Sequence, residues 1–369
     1  MPDTPPIIRS GQIAALRLFD IAYAIDLTRA ETLAARPGGE RARLVTAPAK
    51  AVAFDVPPLL LPLGTVTLDV DGTPHQALAR VRLYDFGIAA FELSLPVTDL
   101  AWPDFVDRAN GLDRAVGAAA EAPVWASLLA TLRVEIAAAL DRPSPAALQE
   151  DYLLATIHAF DPPLTAVEAE SRIDLIPLLS GETRPLSGAA RQGLLRQRFS
   201  YYEDDLVILT WDRAILIEPR RETDVADVLE LVNAQLLEMR YYDERLDDEL
   251  PRMYDLVEAA RRTTSILAAR RYAVLARRLT AMVAEVTEVT EKVDNALQVT
   301  EDVYLARVYA AAIDTLRVPV IGAAVDRKVA IMRDTYTALY SESHANRAEV
   351  LEISILLLIA VEIVLSFVR

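Results

Sequence analysis

The chain of 369 residues carries 38 basic against 54 acidic side chains, a net charge of −16, with 53% hydrophobic residues and no cysteine. That length suggests two or three domains, or one domain with long helical additions. The charge argues against a general nucleic-acid binder, because no surplus of cations exists to neutralise phosphates. The missing cysteine excludes disulfides and thiolate metal sites. The opening MPDTPPIIRS has no basic stretch leading into an apolar run, so no signal peptide is expected, and the bulk of the chain is expected on the cytoplasmic side of any membrane it meets.

Glycine and proline divide the sequence. Eleven of the twelve glycines lie at or before Gly193, and between Leu194 and Pro319 only Pro219 and Pro251 interrupt. The first half therefore reads as short pieces and the second as long helices. Gln12–Leu27 is an apolar run with strand character near Leu16–Ile25. Thr65–Gly72 alternates and stops at the turn signal Asp71-Gly72. Ala79–Leu95 reads as two strands about Asp85–Gly87, with Gly87 free to take positive φ. Pro96 and Asp99 are expected to open helical ground, with Ala122–Leu140 the clearest helix. A β unit follows near Asp151–Phe160, and Leu206–Thr210 and Ala214–Glu218 flank a turn at Trp211-Asp212-Arg213. The pattern is α+β, hairpins mixed with helices.

Thr223 or Asp224 is a fair N-cap for a helix, and Pro251, after Asp247-Asp248-Glu249, suits the first turn of the next. An antiparallel hairpin at Asp247–Pro251 is expected. From Tyr272 a seam steps by three and four through Leu275, Leu279, Met282, Val286, Val289 and Val293 to Val303, about four heptads. Its helix would run to Leu316, roughly 100 Å at 1.5 Å per residue, with Pro319 and Gly322 breaking it. A further helix is expected near Ala323–Tyr340. The domains read as 1–221 (mixed α+β sheet), 222–349 (antiparallel or coiled-coil helices) and 350–369 (a transmembrane-like helix).

That last stretch, Ile353–Val368, has Ser354, Glu362 and Ser366 as its only hydrophilic residues. As a helix it spans about 24 Å, somewhat short of a ~30 Å hydrocarbon core. Its twelve Leu, Ile, Val and Phe residues contribute roughly −5 kcal/mol on an insertion scale, against about +2.5 to +3.5 for one acid. Ile353, Leu357, Ile359, Glu362 and Leu365 would belong to this membrane helix, and Glu352, Ile355, Ile359, Glu362 and Ser366 fall on one stripe that would turn toward a partner. Glu362 would turn inward, because intramembrane acids rarely face lipid. The competing reading is a helix buried in a soluble oligomer.

The chemistry is sparse. There is no GxxxxGK[ST], GxGxxG or GxSxG pattern, and His75, His158 and His344 lie far apart. No cofactor, no catalytic residue and no metal ligand is expected from spacing. The one alternative is carboxylates around a strand, Glu203, Asp204, Asp205 and Asp212, which would suit Mg²⁺ or acid–base work if they converged; a solvated turn is the plainer reading. The arginine pairs between Arg261 and Arg278 are expected to pair with the chain's own acids.

Three stretches, "VRLYDFGIAAFEL", "LELVNAQLLEMRYYDERLD" (Leu229–Asp247) and "LEISILLLIAVEIVL" (Leu351–Leu365), resemble the YagE-type, "required for meiotic nuclear division" family. Leu236 stands where that family usually has Ser after the Ala-Gln pair, which marks a divergent bacterial branch. The resemblance implies a membrane-associated α+β protein with a C-terminal helical stalk and no agreed catalytic motif. Its mitochondrial relative is associated with the inner membrane and with support of mitochondrial translation.

Together these readings predict a non-enzymatic, tail-anchored scaffold that self-associates through its heptad helices and binds a protein partner through its sheet domain, without nucleic acid. The alternatives are a metal-dependent hydrolase on the Glu203–Asp212 carboxylates and a soluble homo-oligomer that hides the tail.

Overall fold

The computed structural model describes residues 5–34, 40–41, 56–120, 122–261 and 302–335, with isolated positions between 277 and 287 and at 337. By its internal contacts the chain forms two units, residues 1–238 with 292–319, and residues 239–291 with 320–369.

The first unit is built on one mixed sheet. Its strands are β1 (Ile7–Asp20), β3 (Glu40–Arg41), β4 (Leu59–Val70), β5 (Thr73–Leu83), β6 (Ile88–Ala101), β8 (Gln149–Asp161), β9 (Arg198–Phe199), β10 (Leu206–Leu209) and β11 (Arg213–Ile217). They lie in the order β3-β4-β5-β6-β1-β8-β11-β10-β9. Every pairing is antiparallel except β8 with β11. A separate two-stranded ribbon joins β2 (Ala22–Ile25) to β7 (Leu140–Pro143).

The three turns expected between strands are present, and they follow from backbone chemistry. Asp71 and Gly72 both take positive φ, 51° and 81°, the pair of angles that matches the twist of flanking strands in a two-residue turn. Gly87 closes the β5–β6 turn at φ 96°. The β10–β11 hairpin turns at Thr210–Asp212, where the Thr210 amide donates to the Arg213 carbonyl at 2.8 Å.

Alternation assigns the faces. Ile13, Ala15 and Phe19 of β1, Leu93 and Leu95 of β6, and Leu153 and Ala155 of β8 enter one apolar core. That core also takes Trp102, Phe105 and Leu112 of α2 (Trp102–Val116) and Trp125 and Leu132 of α3 (Pro123–Glu135). Shorter helices α4 (Ala166–Arg172), α5 (Ile176–Ser180) and α6 (Gly188–Leu194) follow before β9, and α1 (Leu27–Leu33) follows β2. The alternate residues, Leu16 and Leu18 of β1, Leu154 of β8 and Leu216 of β11, are also buried. The sheet is therefore covered on both sides, which explains its strands' near-continuous apolar runs.

Helix α7 (Asp224–Arg261) is the second cover. Every residue from Asp227 to Met239 is buried, so this stretch has no solvent face. At its start the hydrogen bonds of Asp227 to Arg82 and of Glu230 to Tyr84 place it beside β5. Helix α8 (Val303–Thr315) belongs to the same unit, burying Leu305, Val308 and Ala312, and its Tyr309 hydroxyl bonds Gln235 Oε1 at 3.1 Å.

Several sequence expectations require correction. Strand β6 continues through Pro96 and Asp99 to Ala101. Its pairing with β5 ends at Ser94, so one side of the strand is free where Pro96 lacks its amide. The helix expected over Ala122–Leu140 stops at Glu135, and Leu140 already belongs to β7. No hairpin forms at Asp247–Pro251, because α7 runs through Pro251. A proline in a helix interior costs about 3 kcal/mol, yet Leu246 and Met253, seven residues apart, stay buried on either side of it. The continuous helix expected from Tyr272 to Leu316 is also ruled out. Asp302 is an N-cap whose side chain accepts from the Tyr304 and Leu305 amides, so α8 starts afresh there. The break after α8 falls at Leu316-Arg317, with Arg317 at φ 57°, while Pro319 sits in the first turn of α9 (Val318–Thr335), where its missing amide costs nothing.

In the second unit, Lys328 of α9 reaches Asp243 Oδ1 at 2.7 Å and Asp247 Oδ1 at 2.6 Å on α7. Tyr242, Leu246, Met253, Val325 and Met332 are buried. Of the seam residues expected from sequence, Val286 is buried; Leu275, Leu279, Met282, Val289 and Val293 lie outside the described residues. So do Ile353, Leu357, Ile359, Glu362 and Leu365. Among the described residues no single helix is long and apolar enough to cross a membrane, and the pair α8 and α9 passes only by joint length and composition.

Candidate functional site

The densest buried charge lies where the sheet meets α7. Arg80 and Arg82 are two apart on β5 and so share a face. Glu92 is the β6 partner of Arg80 in the register, and Asp227 and Glu230, three apart, share a face of α7. Arg82 Nη2 donates to Asp227 Oδ1 at 2.5 Å, and its Nη1 stands 3.5 Å from Glu230 Oε2. Arg80 pairs with Glu92. The Tyr84 hydroxyl donates to Glu230 Oε1 at 3.0 Å, and Thr223 Oγ1 donates to Asp227 Oδ2 at 2.9 Å. Arg82, Glu92, Asp227 and Glu230 are each at most 6% exposed. Such a cluster is weak evidence for stability, since desolvation offsets attraction.

The electrostatics follow from burial. Glu230 is pushed up to about 6, first by loss of solvent and then by the charge of Asp227, against the pull of Arg82. Asp224, six residues earlier, is also pushed up to about 6 by burial and by Asp227, Glu222 and Asp302. A carboxyl raised in the folded state holds its proton where the unfolded chain has lost it. Its contribution is therefore fully present below the unfolded value near 4.5 and is lost as pH rises through about 6. The effect for Glu230 is on the order of 2 kcal/mol. We expect the urea midpoint to fall between pH 4.5 and 6.5 in the wild type and to fall less in Glu230→Gln. Equal slopes in the two proteins would show that Glu230 does not titrate in this window.

A second buried arginine organises the other face. Arg213 Nη1 donates to Asn110 Oδ1 and to the Leu178 carbonyl, both at 3.1 Å. Its Nη2 reaches Asp113 Oδ2 at 2.9 Å, and its Nε reaches Asp212 Oδ2 at 3.2 Å. One guanidinium thus ties β11 to α2 and α5. Nearby, Arg17 bonds Gln149 Oε1 at 3.1 Å and the Val116 carbonyl at 3.0 Å, and desolvation lowers its pKa.

These contacts account for the acids singled out in the sequence. Asp212 is engaged with Arg213 and with Thr210 Oγ1, at 3.0 Å. Asp205 precedes β10 at its other end and accepts the Tyr201 amide at 2.7 Å. Four strand residues separate the two acids by about 13 Å, too far for one ion. Glu203 and Asp204 are exposed. Among the described residues no three acidic or histidine side chains are grouped to hold a metal. The sequence already set Glu203, Asp204 and Asp205 before a strand and Asp212 after it, and made a site conditional on their converging; β10 (Leu206–Leu209) keeps Asp205 and Asp212 apart.

The sequence reading missed the Arg80–Glu230 cluster. Its signal was present: two arginines at strand spacing beside apolar neighbours, and two acids three apart with Val228, Leu229, Leu231 and Val232 around them. Neither half identifies the other without the fold. An open cleft of about 440 Å³ lies by α4, α5 and β9, with Arg191–Asp174 at 3.0 Å and Arg198–Glu170 at 3.5 Å among its lining residues.

No curated protein and no solved structure matches the chain. The family described as "Uncharacterized protein MJ0711, N-terminal domain" matches residues 10–224, from β1 to the first residue of α7. This overturns the resemblance to the YagE-type family. Of the three stretches that suggested it, one is the β5–β6 hairpin and one a buried helix, patterns many α+β proteins share, and Leu351–Leu365 lies outside the described residues. With more than half of its length matched, the chain belongs to the MJ0711 N-terminal domain family.

Proposed function

We propose that the protein is a non-enzymatic tether: the sheet domain holds the first turns of α7 and binds a protein partner, and the C-terminal apolar segment attaches the chain to a membrane. The observation that carries the domain half of this reading is the full burial of α7 from Asp227 to Met239, locked by Arg82. A buried ionic register of this kind serves specificity of assembly. The Arg82 and Arg213 clusters read as joints, because their charged atoms are spent on neighbouring elements. The membrane half rests on the composition of Ile353–Val368, which favours insertion by a few kcal/mol. Self-association through the heptad positions completes the reading, with copies meeting along the helices.

The test is fractionation of the full chain and of a form ending before Leu351, with a high-pH carbonate wash. The full chain is expected to remain in the membrane pellet until detergent is added, and the shorter form to stay soluble. Solubility of both forms would overturn the tether and favour an oligomer that buries the tail.

A further inference from the structure

An aromatic face lies near the edge of the sheet, built from the loop before β10 and the first turn of α8. The rings of Tyr201 and Tyr202 meet edge to face at 4.7 Å, and Tyr201 contacts Tyr304 at 5.5 Å. Tyr201 is 58% exposed and Tyr202 43%. One cation already sits there: the Arg220 guanidinium lies 3.6 Å from the centre of the Tyr202 ring. Beside it, Arg307 stands 6.0 Å from the ring of Phe199.

The charge around this face is acidic. Burial raises the Tyr304 phenol, and Asp205, Glu218 and Asp302 raise it further. Asp204 and Glu222 act on Arg220. These five carboxylates outnumber Arg220 and Arg307. A ring face attracts a cation through its quadrupole, and neighbouring carboxylates strengthen that preference. They also repel phosphate, so a nucleic acid or an anionic lipid surface does not fit.

We propose that the Tyr201–Tyr202–Tyr304 face binds an arginine-bearing segment of a partner protein, with an incoming guanidinium on the rings and acids beside it. Arginine fits better than lysine because its planar, weakly hydrated group stacks on an aromatic ring. Arg220 occupies the Tyr202 ring in the unbound protein and competes with the partner. The inference deepens the tether reading by naming the partner's chemistry and rests on that reading only for the claim that the sheet domain recognises a protein.

The experiment titrates the full chain in neutral detergent with a fluorescent peptide of sequence Gly-Arg-Gly-Arg-Gly, followed by anisotropy. Membrane attachment plays no part in this assay, so failure of the tether in the carbonate wash and failure of binding here are separate results. Saturable binding is expected, weakened about fivefold by Tyr202→Leu, which changes no charge. Arg220→Gln is expected to tighten binding about threefold by freeing the ring. Arg142→Gln, which removes a cation seated over Tyr23 instead, is expected to leave it unchanged. Circular dichroism of each variant checks the fold. Absence of binding, equal binding of the lysine analogue, or a Tyr202→Leu protein that binds like wild type would each overturn the proposal; the last would indicate general attraction to an acidic chain.

Discussion

Replacing Arg82 by methionine is expected to lower the stability of the sheet domain by about 3–5 kcal/mol, among the largest effects of any single substitution in this chain. The arginine itself is 5% exposed, and both carboxylates it serves are buried on α7. Methionine fills much of the volume, so the loss is electrostatic: Asp227 and Glu230 would remain out of water without their cation. Tyr84 and Thr223 would still donate one hydrogen bond each, which limits the penalty. The triple variant Arg82→Met, Asp227→Asn, Glu230→Gln is expected to recover most of the loss, because neutral amides need no counter-charge. Urea unfolding followed by circular dichroism measures both. If Arg82→Met alone costs under about 1 kcal/mol, the helix is held by apolar contacts and the charges are incidental.

Gly87→Ala is expected to cost on the order of 3 kcal/mol or more. Part of that is conformational, since φ 96° is a region that side chains disfavour. The larger part is contact: a Cβ at this position would lie 1.8 Å from the Ala22 carbonyl oxygen, a backbone atom that cannot swing aside. The tip of the hairpin is bonded to that same segment, with the Ile21 amide donating to the Gly87 carbonyl at 3.0 Å and the Ile25 amide to the Asp85 carbonyl at 2.9 Å. Relieving the clash would pull the turn from the β1–β2 corner and disturb Tyr84, which donates to Glu230. Gly72→Ala is the control. Its φ of 81° is equally disfavoured, but the space around it is open, so a cost of about 1–2 kcal/mol is expected. Equal costs at the two positions would show that the turn can move away from Ala22.

Much of the fold was legible because local signals agreed with one another. Asp71-Gly72 and Asp85–Gly87 announced turns, and the alternation on either side announced strands, since a two-residue period and positive φ are properties of the chain itself. The α+β class followed, as did the start of α7 at Asp224. Helix ends and breaks were less legible. Pro251 and Pro96 looked like boundaries, but a proline ends an element only when its missing amide is needed, and that depends on neighbours distant in sequence.

The charged residues show the limit most plainly. Asp205 and Asp212 stand before and after a strand the sequence announced, but only the fold shows that they do not converge. Arg82 and Asp227 are 145 residues apart, yet they share a hydrogen bond. The sequence by itself determined the turns, the strand alternation and the apolar content of both halves, because these depend on backbone preferences and solvent transfer of single residues. Only the tertiary structure decided which charges meet, that α7 is buried on every side from Asp227 to Met239 and where the exposed tyrosines stand together, because a pair energy depends on a separation in space that no spacing along the chain encodes.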